Sequence, residues 1–174
     1  MFLSLNTNMD WIIKTTVKLD AILPIVDNLT NTLDAIDLSK EPKSTRGNKS
    51  VQWQLFGVKD NEWVELVEAI KIKIKEEWKK KFDQDILLAL AGAWTVKGQE
   101  HSYHTLHNHQ KGNTDVSKRI STVIYLQMPE KRWNGDGAFY FVIQEKKKLM
   151  SYHIDPEPGT YVIMPSDMLH GAYP

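Results

Sequence analysis

Six histidines occur in the chain, and four of them fall within the segment HSYHTLHNH: His101, His104, His107 and His109. Successive residues of a strand point to opposite faces, so positions i and i+2 share one. His107 and His109 are therefore placed to offer two imidazoles to one metal ion. A third ligand has to come from elsewhere in the sequence. His170 is the candidate, because it lies just beyond the strand TYVIMP and a Pro-Ser turn. Imidazole serves iron, zinc, copper and nickel, so these ligands alone do not choose the metal. His101 and His104 are read as residues that surround the ligands or face solvent, and His153 as a histidine of the barrel wall.

These side chains need elements to hold them. WIIKTTV, residues 11–17, is β-branched and predicts a first strand. Pro24 opens a helix carrying Val26, Leu29, Leu33 and Ile36. Residues 39–50 are polar with Pro and Gly and predict a loop, and VQWQLFGV a short strand. Asp60 caps a second helix whose apolar stripe is Trp63, Val67, Ile70, Ile74, Trp78 and Phe82. The lysines at its end suit the helix dipole. Strands follow: ILLALAGAWTV, ISTVIYLQ, AFYFVI, LMSYHI and TYVIMP. Turn signals separate them at Lys111-Gly112-Asn113, Asn134 to Gly137, and Pro156 to Gly159. The expectation is a single α+β domain over residues 1–174. Residues 1–84 form a helical support region, and residues 85–174 a β-barrel or sandwich.

Composition restricts the function. The chain has 174 residues, 22 Lys+Arg and 22 Asp+Glu, so a formal net charge of zero gives no general attraction to nucleic acid or anionic membrane. Without cysteine there are no disulfides and no thiolate ligands, a weak lean towards the cytoplasm. MFLSLNTNMDW lacks a basic leader, and no apolar run is long enough to span a bilayer.

Read in order, Trp94, HTLHNH, ISTVIYLQMP, GDGAFYF and PEPGTYVIMPSDMLHGAYP resemble the 2-oxoglutarate/Fe(II) oxygenase superfamily, in its small bacterial and bacteriophage branch related to prolyl hydroxylases. Pro156, Gly159, Pro165, Ser166, His170 and Pro174 carry the closest match, and STRGNKSVQW a looser one. The resemblance implies a double-stranded β-helix (a jelly-roll, cupin-like barrel) with Fe(II) held by His107, His109 and His170. It further implies 2-oxoglutarate and O2 as cosubstrates, and hydroxylation coupled to decarboxylation to succinate. The substrate, a small molecule or a peptide, is not legible.

Two departures from the family pattern stand out. The superfamily's usual carboxylate ligand is replaced by His109, with Asp115 as an alternative ligand in a nearby loop. The family's basic residue beyond the distal histidine, which pairs with the far carboxylate of 2-oxoglutarate, has no counterpart before Pro174. Tyr125 and Arg119 are the substitutes proposed for it, with Lys118 beside them. The expectation is then that a final strand lies beyond Pro174. Two rival readings remain: a cupin-like three-histidine enzyme that does not use 2-oxoglutarate, and a non-catalytic β-barrel binding module.

Overall fold

The computed structural model describes residues 12–16, 47–54, 61–109, 119–145 and 147–174. The helix expected after Pro24, Asp60, Asp115 and Lys118 lie outside them. The described residues form β1 (Ile13–Thr16), β2 (Gly47–Gln54), α1 (Asn61–Phe82), β3 (Trp94–His107), β4 (Ile120–Ile124), β5 (Phe139–Glu145), β6 (Lys148–Ile154), β7 (Thr160–Pro165) and β8 (Leu169–Ala172). They make two antiparallel sheets, one in the order β1-β7-β4 and one in the order β2-β3-β8-β5-β6. Among the described residues, no helix is long and apolar enough to cross a membrane.

Alternation along the strands builds two apolar layers. Phe139, Phe141 and Ile143 of β5 meet Val162 and Met164 of β7, with Met168 and the partly buried Val123 and Tyr125 against them. This layer fills the space between the sheets. The opposite face of β7, Tyr161 and Ile163, packs with Ile13 and with Ile74 of α1, flanked by Ile70 and Phe82. Ile70, Ile74 and Phe82 of the helical stripe thus pack on the outer face of the smaller sheet. Thr15 Oγ1 donates to Glu77 Oε1 at 3.0 Å, and Lys81 Nζ to Ile12 O at 3.0 Å, fastening α1 to β1. The helix stops at Asp83, whose left-handed φ of 54° and N–H bond to Lys79 O close its last turn. Ile74→Val is expected to cost about 1 kcal/mol in denaturant unfolding, the usual effect of removing one buried methyl group.

Two segments depart from the sequence expectation. Strand β2 begins at Gly47, inside the stretch read as loop. The run ILLALAGAWTV becomes a strand only from Trp94 onward. Ile86 and Leu88 touch the helix-side cluster while Leu87 is 98% exposed, so the run alternates in burial while pairing with no strand among the described residues. The turn before β7 forms where Pro156 to Gly159 signalled it. Thr160 N–H bonds Glu157 O at 2.8 Å, and Gly159 has φ +88°, giving a turn with Pro158 and Gly159 at its centre.

Candidate metal centre

Strand β3 bends back sharply on itself. Trp94 at its start and His109 just past its end have ring centroids 5.2 Å apart. A straight strand would separate these two positions by about 50 Å. The bend lies between Gly98 and Tyr103: Gly98 faces Ser50 and Tyr103 faces Asn48, so four residues of β3 stand opposite one of β2. Within it His101 has a φ of +62°, and a Cβ on Gly98 would collide with Ser102 Oγ.

Beyond the bend, β3 pairs with β8, and His107 stands directly opposite His170. Cross-strand partners put their side chains on one face. Here it is the face towards the inter-sheet core, since His170 is 3% exposed and stacks on Phe139 at 5.6 Å. His109 is positioned differently from the expectation. The strand ends at His107, and His109 is fixed by its own N–H, which donates to Ser166 O at 2.8 Å. Ser166 lies in the turn between β7 and β8. The chain therefore brings in two ligand candidates from a strand pair and one from a loop tied to the turn preceding the third.

The three imidazoles converge. One ring nitrogen from each of His107, His109 and His170 lies within 4.8 Å of the others. Ring centroids are 4.5 Å apart for His107–His170, 5.0 Å for His109–His170 and 5.1 Å for His107–His109. An imidazole bound to a metal through nitrogen has its centroid about 3.2 Å from the ion, so two such rings at 90–109° stand about 4.5–5.2 Å apart. The observed separations fit a shared ion.

Tautomer geometry fits as well. His107 Nδ1 lies 2.7 Å from Thr105 O and His170 Nδ1 lies 2.8 Å from Met168 O. A carbonyl oxygen only accepts, so both Nδ1 atoms carry a proton, and in the neutral form of each ring the lone pair is then on Nε2. Such bonds to the backbone also hold the rings in orientation. Burial pushes the pKa of His170 down to about 3, against the opposing effect of the Met168 carbonyl. The neutral imidazole, which is the ligand form, is thus the resting state of this ring at neutral pH.

The turn adds two buried polar atoms, Ser166 Oγ and Asp167 Oδ1, with no hydrogen-bond partner among the described residues. Arg119 is joined to this turn through its backbone: Ser166 N–H donates to Arg119 O at 3.2 Å. Tyr125 lies further in, against the inter-sheet core, where burial raises its phenol pKa well above the usual value. The phenol therefore stays protonated and able to donate. His153 is exposed on β6, opposite Tyr140. Outside the barrel an open groove of about 400 Å³ is lined by Trp133, His153, Tyr173 and Pro174, but none of the three converging histidines borders it.

One residue that the sequence reading left outside the ligand set is brought to their side. His104 faces Ala172 across the β3–β8 pair, and its ring centroid is 6.3 Å from that of His107. Positions 104 and 107 differ by an odd number, which in a regular strand sends them to opposite faces. A register shift between them removes that difference.

No protein-family model and no curated protein sequence matches the chain. Solved structures do. A Pseudomonas putida prolyl-4-hydroxylase superposes with a TM-score of 0.64 at 12% identity, over 94% of this chain and 85% of the other. A Trichoplax adhaerens prolyl hydroxylase, solved with a hypoxia inducible factor oxygen degradation domain peptide fragment, gives 0.60 at 14% identity, over 96% and 79%. At such identities the likeness is one of fold alone: two antiparallel sheets arranged as in these prolyl hydroxylases.

Proposed function

We propose that this protein is an Fe(II)- and 2-oxoglutarate-dependent hydroxylase, built as a double-stranded β-helix and holding iron through His107, His109 and His170. The observation that carries the reading is the convergence of three ring nitrogens, two with their lone pairs freed by backbone bonds, in a fold shared with prolyl hydroxylases. Iron bound there supplies oxidation of a substrate C–H bond by O2, coupled to conversion of 2-oxoglutarate to succinate and CO2. The protein's own part is to orient and to shield. The His107 and His170 rings are fixed by Thr105 O and Met168 O, and Phe139 walls the buried side of His170. Tyr125 is a candidate to donate its protonated phenol to the cosubstrate, and Arg119, whose carbonyl accepts from Ser166 N–H, is a second candidate for its charge.

Charge balance supports a dianionic cosubstrate. Three neutral imidazoles leave a divalent ion with its full +2 charge. A dicarboxylate cancels it, which lowers the cost of keeping the assembly in a poorly solvated interior. The same donor set also suits a cupin-like enzyme that uses no 2-oxoglutarate, so the test must separate the two. Protein reconstituted anaerobically with Fe(II) and then given O2 and 2-oxoglutarate is expected to release succinate in an iron-dependent way. Proline-containing peptides are the first substrates to add, because the Trichoplax neighbour was solved with a peptide. Iron-dependent O2 consumption without succinate would favour the cupin-like reading, and absence of both would refute enzymatic oxygen chemistry.

A further inference from the structure

The strand register lays the inner face of the larger sheet out in rows. One row runs His107, His170, Phe141, Tyr152 across β3, β8, β5 and β6. The next runs His104, Ala172, Phe139, Ile154 over the same strands. The second row lies further from the β7–β8 turn, because β3 leads from His104 towards His109 at that turn while β8 leads away from it after His170. The spacing between the rows is two residues along a strand, about 6.8 Å. In this second row the middle position is the smallest side chain, Ala172, set between the imidazole of His104 and the ring of Phe139.

We propose that His104 and Ala172 form the subsite for the distal carboxylate of a metal-bound 2-oxo dicarboxylic acid, with a ring N–H of His104 donating to that carboxylate. The inference rests on the reading of the three histidines as a metal centre and of 2-oxoglutarate as its ligand. His104 is too far from His107 for a pair of adjacent ligands on one ion: their centroids are 6.3 Å apart, against 4.5–5.1 Å among the other three. It is near enough to meet a molecule held there. The two carboxyl carbons of 2-oxoglutarate are separated by four carbon–carbon bonds, about 5 Å when extended. A keto acid chelating at the first row thus carries its far carboxylate to the second. Ala172 leaves the volume for it, Phe139 closes the other side, and the donor takes the place of a basic residue. The β3 register shift serves this arrangement, since without it His104 would face away.

The test is calorimetric titration of Mn(II)-loaded protein with 2-oxoglutarate and with 2-oxovalerate, which chelates in the same way but has no distal carboxylate. The wild-type protein is expected to prefer 2-oxoglutarate by about 10- to 100-fold, the value of one charge-assisted hydrogen bond. His104→Ala is expected to erase the preference while Mn(II) affinity and 2-oxovalerate affinity stay unchanged. His104→Gln, which keeps an N–H donor, should restore part of it. Ala172→Leu fills the gap from the opposite strand and should give the same selective loss, so the outcome does not hang on one variant's folding. A His104→Ala protein that keeps the full preference overturns the proposal, as does a preference lost in Tyr125→Phe alone. Failure of the wild-type protein to bind either acid would instead refute the 2-oxoglutarate reading itself, and the subsite with it.

Discussion

Replacing His107 by alanine is expected to lower affinity for Fe(II) or Mn(II) by more than about 100-fold while the fold persists. Changes in groups that merely orient metal ligands already cost about 10- to 100-fold. Removing one of three ligands leaves two neutral nitrogens, and the ion then depends on water for the rest of its coordination. His107 is the informative position because it is half-buried, so truncation opens little void. His170, at 3% exposure and stacked on Phe139, would lose packing as well as a ligand. Metal titration monitored by Mn(II) paramagnetic resonance, with circular dichroism on the same samples, separates the two effects. Unchanged metal affinity in His107→Ala would remove this ring from the site.

Gly171→Val should be the most damaging small-to-large change in the described core, at about 3 kcal/mol or more. A Cβ at Gly171 would lie 2.5 Å from His104 O and 2.6 and 2.7 Å from Tyr140 Oη and Cζ. The first is backbone in the adjoining strand. The tyrosine has little freedom either, because it stands directly opposite Gly171 on β5, stacks on Tyr173 at 4.6 Å and donates to that same His104 carbonyl. Relief requires β8 to move away from β3, and His170 immediately precedes the collision. Loss of stability should therefore come with weaker metal binding. Denaturant unfolding and metal titration of the variant check both. A variant as stable as wild type would show that β8 and β3 are not held this closely.

How far the site was legible follows from where its order is local. The strand TYVIMP is bounded by a Pro-Gly turn on one side and Pro-Ser on the other, and it emerges as β7 with the same limits. The H-x-H pair and His170 come together, but His109 reaches the cluster from a loop and not from the strand its spacing implied. What the sequence could not display was the register. The bend between Gly98 and Tyr103, and the shift between His104 and His107, depend on pairing with strands more than forty residues away, and no periodicity records them. His104 was for that reason left among the surrounding residues. The same limit explains ILLALAGA, whose alternation imitates a strand although no strand among the described residues pairs with it. Gly47 to Ser50 erred the other way: polar and glycine-containing, they read as loop, yet β3 offers them a partner.

Anomalous diffraction from crystals grown with Mn(II), recorded on both sides of the metal absorption edge, is the most direct measurement of the three-histidine centre. The expected result is one strong peak about 2.0–2.2 Å from a ring nitrogen of each of His107, His109 and His170, with the Nδ1 atoms of His107 and His170 still bonded to Thr105 O and Met168 O. No peak among these three rings, or a peak held instead by other residues, would contradict it.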